Sequence, residues 1–359
     1  MQLKTLYKIS AKTSAKQVMN IKSEGNTFVV EWGQEGGKQQ TRVTACKGKN
    51  IGKSNATSDE AQAKAEALAY HAKKIKSGYS TNPAAPTTVN LPMKVQTYAK
   101  HKKKVKFPCW ESPKLNGVNA TYKLTDTSLE LLSRGGEQYP LIEQQMIPVM
   151  NIMKELNVRE LNGEIYIHGE SLQTITGAVK KYREMTDKLE FHIFDVPDID
   201  MIYTSRHTIM EDIEETEFVK VVPVHLAVDH THLDERHDKY VSEGYEGLIV
   251  RNQLGMYEHN TRSNDVFKLK KAVDAEFKVI DHAIDKNGHV VFVCETGDNT
   301  FKVKPKGTDA ERTLMASMAD KYHGAWLKVE YEMLSDDGIP LKPVGIMFRE
   351  CDADGNPKE

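Results

Sequence analysis

Short strand-like runs alternate with short helical patterns between about residues 91 and 271, and this alternation most limits the folds open to the chain. The strands are expected at 118–124, 129–133, 164–167, 189–196, 247–250 and 266–270, and the helices at 141–156, 171–185, 205–217 and 232–243. From Ala275 onward only short strands and turns follow, interrupted by one helix at about 308–321. Such a run of five or so strands predicts a small barrel of the OB-fold kind.

The first 79 residues have a different pattern, which predicts a small α+β domain. Strands are expected at 27–32 and 41–44, and a capping-box pattern from Thr57 to Glu60 predicts the start of a helix that Gly78 ends. The apolar face of this helix is expected to contain Ala61, Ala65, Leu68, Ala72 and Ile75. Residues 80–90 have no periodic pattern and contain two prolines, so we interpret them as a linker.

Charge is divided unevenly along the chain, although the net charge is only −2. Residues 1–106 contain 20 Lys+Arg against 6 Asp+Glu, or +14, and the rest of the chain carries −16. This asymmetry favours a basic module that contacts nucleic acid, joined to an acidic core. A lysine-rich surface that only increases solubility is the alternative.

Composition places the chain among globular proteins. It has 359 residues, enough for two or three domains, and 39% of them are apolar. No apolar stretch approaches membrane-span length, and the N-terminus lacks the apolar core of a secretory signal. The four cysteines are far apart, which argues against a zinc ribbon or a disulfide scaffold. We therefore expect a soluble cytoplasmic protein with reduced thiols.

A glycine-rich segment at residues 48–54, GKNIGKS, imitates a phosphate-binding P-loop. That loop needs four residues between its glycines, and here Gly48 and Gly52 are separated by three. We interpret the segment instead as a basic turn that touches a DNA backbone, with Lys53 as the candidate contact.

The chemistry is expected at Lys114, within FPCWESPKLNGVN at residues 107–119. A lysine amine can act as a nucleophile once it is deprotonated, but a lysine before an Asn-Gly turn is common and weak evidence by itself. Further motifs follow in order along the chain: LLSRG ending at Gly135, LNGEI with Glu164 at an expected strand start, FHIFD with Phe194, GYEGLIV with Glu246, and FKLK with Lys268 and Lys270 on one strand face.

These ordered motifs resemble those of the covalent nucleotidyltransferase superfamily of ATP-dependent DNA ligases, RNA ligases and capping enzymes. The lead-in before Lys114 and the ending LKPVGIMFRE are most similar to those of small viral and phage DNA ligases. Three residues depart from the family pattern: Asn116 and Asn162 replace aspartates, and Asn119 stands where many DNA ligases have arginine.

The resemblance implies a fold and a domain order. The fold class is α+β: an ATP-grasp-like nucleotidyltransferase core of antiparallel sheets with helices, followed by a C-terminal OB-fold barrel. A small α+β domain that resembles the WGR type precedes the core, although Gln34 replaces the arginine of that family's name. The implied domains are 1–79, a linker at 80–90, a nucleotidyltransferase domain at 91–271 and an OB-fold at 272–359.

The resemblance also implies residue roles, with ATP and Mg²⁺ as cofactors. Lys114 would accept AMP, Phe194 would stack on adenine, and Glu164 would contact the ribose. The α-phosphate would be held by Lys268 and Lys270, and the nucleotide pocket would include Asn119. Further implied roles are metal binding by Glu246 and Glu164, DNA binding by Arg134 and Arg262, and a looser match of Lys342 and Arg349 to the motif that orients pyrophosphate.

The resemblance implies a monomeric ATP-dependent DNA ligase that seals nicked double-stranded DNA and needs no membrane. Two alternatives remain open at this point: an RNA ligase of the same superfamily, and a nick-binding protein disabled by its three asparagines. The spacing of His230, His232 and His237 matches no established zinc motif, so we expect these histidines to lie on the solvated surface.

Overall fold

The computed structural model describes residues 1–10, 13–84, 90–271, 273–352 and 355–358, and it divides into two compact units, Met1–Lys268 and Leu269–Glu359. The first unit contains three sheets, and the second contains a closed barrel. Within the described residues, every helix is too short or too polar to cross a membrane.

An antiparallel four-stranded sheet with its strands in chain order begins the first unit. Its elements are β1 Leu6–Ile9, β2 Lys16–Glu24, β3 Thr27–Gln34, β4 Gln39–Ala45 and the helix α1 Asp59–Lys76. Helix α1 packs on the sheet through Ala63 and Ala67, which join a buried cluster with Leu6, Ile21 and Val30. The small α+β arrangement expected for this region is present.

Two expected details of α1 are wrong. The Ser58 hydroxyl caps the helix by accepting a hydrogen bond from the Ala61 N–H at 3.2 Å, so the cap is not Thr57. The predicted apolar face is exposed to solvent at all five of its positions, because two alanines on another face give the backbone its closest approach to the sheet. Gly78 follows the last turn with φ of +87°, as expected for a helix-ending glycine.

Two larger sheets follow in the first unit. Their strands are β5 Lys94–Thr97, β6 Cys109–Lys114, β7 Val118–Leu124, β8 Leu129–Ser133, β9 Gln138–Tyr139, β10 Glu160–Tyr166, β11 Glu190–Asp195, β12 Val219–Val221, β13 His225–Ala227, β14 Gly247–Asn252 and β15 Arg262–Leu269. One sheet has the order β12-β11-β10-β7-β8-β9, and the other has the order β13-β6-β14-β15-β5. Parallel pairing of β11 with β12 and of β15 with β5 makes both sheets mixed, which corrects the expectation of purely antiparallel sheets.

The helices of this region are α2 Tyr98–His101, α3 Glu143–Glu155, α4 Leu172–Lys180, α5 Tyr203–Glu211 and α6 His230–Ser242. Strand β10 lies in the middle of the six-stranded sheet and is buried along its whole length. It starts at Glu160, so Glu164 lies inside a buried strand and not at a strand start as its motif suggests. This position places a carboxylate in the protein interior.

The second unit is a closed five-stranded barrel with the order β16-β17-β18-β20-β19. Its elements are β16 Val273–Ile284, β17 Val290–Thr296, β18 Asn299–Pro305, the helix α7 Asp309–Ser317, β19 Trp326–Tyr331 and β20 Val344–Arg349. Phe292, Val303, Leu327 and Val329 fill the interior. The expected small barrel with one interrupting helix is confirmed.

Candidate active site

Lys114 ends strand β6, next to the first residue of β14, and pairs in register with Gly247. Its Nζ donates a hydrogen bond to the carboxylate of Glu246, and its backbone oxygen accepts one from the Glu246 N–H at 3.0 Å. Both side chains are mostly buried, with exposed fractions of 20% and 15%. The amine is therefore held against a carboxylate in a mostly buried position.

The strand that carries Lys114 is itself anchored by a buried carboxylate. Glu111 of β6 accepts hydrogen bonds from Arg236 at 2.6 Å and from the Tyr240 hydroxyl at 3.3 Å, and both of these partners lie on α6. This contact fixes β6 against the helix three residues before Lys114.

Gly117 is required by close packing at the turn after Lys114. A Cβ at this position would collide with the backbone oxygen of Ile165 and lie 2.8 Å from Cγ of Glu164. The glycine therefore lets β7 approach β10 closely. This close approach, and not a positive φ, explains the glycine of the Lys-x-Asn-Gly motif.

Glu164 is 9% exposed and lies directly across from Asn119 on β7. Burial raises the pKa of its carboxyl group, because the charged form loses its hydration. The positive charges of Lys114 and Arg134, the Asn119 amide and the Gly117 N–H act in the opposite direction. The structure thus brings Lys114 and Asn119 together with Arg134 and Glu164, which follow Lys114 by 20 and 50 residues in the sequence.

Arg134 and Asn119 both act on this carboxylate, Arg134 through its charge and Asn119 through a side-chain hydrogen bond. Arg134 is exposed and follows the end of β8, so its guanidinium is accessible from solvent. Asn119 donates a long hydrogen bond of 3.4 Å to the Gly163 oxygen, and its Oδ1 is buried without a hydrogen-bond partner among the described residues. A buried acceptor of this kind calls for an explanation, and a bound ligand would supply one.

Asn162 has a structural role. Its amide NH₂ donates to the Ala120 oxygen at 3.1 Å and to Thr121 Oγ1 at 3.0 Å, and its Oδ1 accepts from the Tyr257 hydroxyl at 3.1 Å. An aspartate could not make the first of these bonds, since an ionised carboxylate only accepts. The departure from the family's aspartate therefore serves the packing of this sheet.

Phe194 is partly buried on β11, and the guanidinium of Arg251 lies over its ring at 5.6 Å. The next residue, Asp195, is fully buried and pairs with Arg206 at 2.7 Å and with Arg251 at 3.0 Å. The sequence motifs include Asp195 but do not reveal these two arginines. A buried acid must be paired, and this requirement is the one signal that could have led to them.

Lys268 is on β15, which is hydrogen-bonded to β14, and its neighbour Phe267 is fully buried on the other strand face. Strand β15 ends at Leu269, so Lys270 lies just beyond it. Of the two lysines expected on one strand face, only Lys268 is part of the strand. Lys270 lies 3.5 Å from Glu332, which also pairs with Lys342 at 2.7 Å.

The remaining predicted contacts lie at exposed or half-buried positions. Arg262 donates a hydrogen bond to the Val95 oxygen, and Lys53 lies in an exposed turn after β4. Arg349 pairs with Glu276 at 3.1 Å.

The expectation of a solvated histidine group is wrong. His237 is 2% exposed, and His230 Nδ1 lies 2.6 Å from the Tyr98 hydroxyl. Both histidines contribute to packing on α6, where the charged residues around them in the sequence conceal their burial.

Known proteins with similar sequences are DNA ligases. The family described as ATP dependent DNA ligase domain matches residues 92–270. A DNA ligase of African swine fever virus (isolate Warthog/Namibia/Wart80/1980) is 33% identical over 362 residues, covering 90% of this chain and 83% of the viral protein. A DNA ligase of Enterobacteria phage T4 is 22% identical, covering 69% of this chain and 66% of the phage protein.

The fold is similar to that of a solved Lig E DNA ligase, with a TM-score of 0.58 and 21% identity, over 73% of this chain and 100% of that one. The architecture is therefore a ligase fold: a nucleotidyltransferase core, a five-stranded barrel after it and a small sheet before it. With a viral relative at this level of identity along most of its length, the chain belongs to the family of ATP-dependent DNA ligases.

Proposed function

We propose that this ligase seals nicks in duplex DNA and that Lys114 carries AMP from ATP to the DNA. The observation that carries the proposal is the group of Lys114, Glu246, Arg134 and Asn119 around the buried carboxylate of Glu164. A mostly buried amine next to carboxylates and an accessible guanidinium suits transfer of a nucleotidyl group.

The first step would attach AMP to the protein. A bond forms between Lys114 Nζ and the α-phosphorus of ATP, the bond from that phosphorus to the bridging oxygen breaks, and pyrophosphate leaves. Nζ loses a proton on the way, since the attack requires a neutral amine. Glu246 orients the amine beforehand by accepting its hydrogen bond.

The second and third steps would transfer AMP to the nick and close it. An oxygen of the 5′-phosphate displaces Lys114 from the phosphorus of AMP, and the 3′-hydroxyl then attacks the 5′-phosphate, so that AMP leaves. We assign binding of the 5′-phosphate to Arg134, because an exposed guanidinium can donate two parallel hydrogen bonds to phosphate oxygens. Arg262 would contact the DNA backbone near the same strand end.

The nucleotide would be held by side chains on β7, β10, β11 and β15 and by Lys270, which follows β15. Phe194 would stack on adenine, Glu164 would accept hydrogen bonds from the ribose, and Lys268 and Lys270 would hold the α-phosphate. The buried, unpartnered Oδ1 of Asn119 supports a ligand in this pocket, because a hydroxyl or amino group could donate to it.

The donor set also fits Mg²⁺. Glu164 and Glu246 both lie beside Lys114 and offer carboxylate oxygens, the ligands that Mg²⁺ takes together with water and phosphate oxygens. When bound, the ion would offset the negative charge of the phosphates.

A nicked duplex tests the proposal directly. The full chain, ATP and Mg²⁺ are mixed with one of two duplexes. In one the nicked strand is DNA, and in the other the nicked strand is RNA. The sealed product is measured on a denaturing gel. We expect DNA to be sealed at least about tenfold faster than RNA. Faster sealing of RNA would support an RNA ligase. Transfer of AMP to the protein without sealing of either nick would support a disabled enzyme.

The N-terminal domain is proposed to be a WGR-like module that binds the DNA backbone. Its excess of lysines, among them the exposed Lys53, supports a contact driven by charge neutralisation. Deletion of residues 1–80 should raise the KM for nicked DNA, make the KM less sensitive to salt and leave adenylation of Lys114 intact. Loss of adenylation in the shortened protein would contradict this assignment.

A further inference from the structure

The barrel unit brings two histidines and an aspartate together at a place that the ligation chemistry does not use. Nδ1 of His282, on β16, lies 3.0 Å from Nε2 of His323. An oxygen of the Asp281 carboxylate and one nitrogen of each histidine all lie within 4.8 Å of one another, and an oxygen of Asp320 lies 3.8 Å from His282 Nδ1. Among the described residues, this is the one group of histidine, cysteine and acidic side chains spaced to hold a metal ion.

The backbone fixes both histidines in place. The pairing of β16 with β17 shifts register between Val279 and Asp281, and such a bulge redirects the side chains that follow it. Gly324, next to His323, donates a hydrogen bond to the Val279 oxygen at 2.7 Å, and the Val279 N–H donates to Ala325 at 2.9 Å. Two segments 41 residues apart are thus joined beside the imidazole rings.

We propose that His282, His323 and Asp281 bind a divalent first-row transition metal of the Zn²⁺ type. Ligand nitrogens at about 2.0–2.1 Å from a tetrahedral Zn²⁺ lie slightly more than 3 Å apart, which is near the separation found here. Neutral imidazoles together with a carboxylate favour Zn²⁺ over Mg²⁺, which takes oxygen ligands. The site is therefore chemically distinct from the carboxylates proposed for Mg²⁺ beside Lys114.

The bound metal would connect β16 to the segment that leads into β19. Without metal, the two ring nitrogens share a hydrogen bond. The ion would replace this bond with two metal–nitrogen bonds and would draw in the exposed carboxylate of Asp281. Because the folded barrel presents the ligands together and an unfolded chain does not, binding would raise the melting temperature of the unit.

Calorimetric titration with Zn²⁺ alone tests the site in the full chain after chelator treatment. We expect one Zn²⁺ per chain at this site, and His282→Gln and His323→Gln should each weaken binding at least about tenfold. His289→Gln is the matched control, since His289 is a histidine of the same unit with two carboxylates within 4.0 Å, at Asp285 and Asp309, and is not part of the group. Its affinity for Zn²⁺ should equal that of the wild type.

A thermal melt gives a second, independent readout. Zn²⁺ should raise the melting temperature of the wild type and of His289→Gln, but not that of the two other variants, and Mg²⁺ should not reproduce the effect. If a glutamine variant is less stable without metal, Asp281→Asn, which keeps both imidazoles, supplies the comparison. The proposal is overturned if the wild type binds no Zn²⁺, or if all the variants bind it equally.

Discussion

Asp195 and Glu164 are buried carboxylates on neighbouring strands of the six-stranded sheet, and they have different partners. Both oxygens of Asp195 on β11 accept hydrogen bonds from arginines, with Arg206 at 2.7 Å and Arg251 at 3.0 Å. Arg206 also donates to the backbone oxygens of Gly255 and Met201. This network is complete within the protein, as buried charges require.

The carboxylate of Glu164 on β10 has different neighbours: the Asn119 amide, the Gly117 N–H and the charges of Lys114 and Arg134. Burial raises its pKa, and of the cations around it, Lys114 is mostly buried and Arg134 is exposed. The buried Oδ1 of Asn119 next to it has no partner among the described residues. The comparison teaches that the arginine pairs of Asp195 serve the fold, whereas the surroundings of Glu164 keep a buried acceptor, Asn119 Oδ1, that suits a substrate donor.

The largest expected effect on stability comes from breaking the completed network. Arg206→Met removes the main partner of Asp195 and should lower the free energy of unfolding by about 3–5 kcal/mol, because a charge is left buried and poorly paired. Arg134→Met, the same change in the other cluster, should stay within about 0.5 kcal/mol of wild type in urea unfolding, because Arg134 is exposed. If the two variants lose the same free energy of unfolding, the proposed difference between the two clusters is wrong.

A smaller effect is expected at Asn162, which lies opposite Asp195 in the sheet. Asn162→Asp restores the residue usual in the family, yet it should cost about 1–3 kcal/mol, because a carboxylate would face the Ala120 oxygen. The partly exposed Asn116→Asp serves as the control and should cost less. If Asn162→Asp is as stable as wild type and ligates faster, Asn162 is a weakened catalytic residue and not a structural one.

The smallest expected effect is a gain of stability at Glu164. Because folding raises the pKa of Glu164, the ionised carboxyl group destabilises the folded state at neutral pH. Glu164→Gln should therefore raise the melting temperature at pH 7, and the gain should shrink as the pH falls toward the ordinary pKa of a glutamate side chain, below which Glu164 is protonated in both states. The same variant should lose adenylation activity. Equal melting temperatures for Glu164→Gln and wild type at pH 7, or a gain that does not shrink at lower pH, would contradict the assignment.

The sequence predicts the catalytic strands better than it predicts the networks that support them. Strands β7 and β8 match their predicted bounds to the residue, since their apolar runs are bounded by turn residues. The partners of Asp195 lie 11 and 56 residues away, and they are brought to it only by tertiary packing. The same limit applies to His282 and His323.

Asn162 shows a second limit of sequence comparison. Because Asn162 replaces an aspartate of the motif, the sequence alone suggests a loss of activity. Only the structure shows that its amide group donates two hydrogen bonds to the neighbouring strand. The helix face predicted for α1 fails for a related reason. Alanines at several spacings fit a helical period equally well, and the sheet selects the pair that packs closest.

The measurement that tests this account most directly is transfer of label from ATP to the protein. Wild type, Lys114→Ala and the control Lys123→Ala, from β7 of the neighbouring sheet, are incubated with Mg²⁺ and ATP radiolabelled at the α-phosphate, then separated on a denaturing gel. Pyrophosphate treatment beforehand removes any AMP already bound. The account predicts covalent label on wild type and Lys123→Ala and none on Lys114→Ala. Label that persists without Lys114, or a wild type that takes up none, would contradict the assignment of Lys114 as the carrier of AMP.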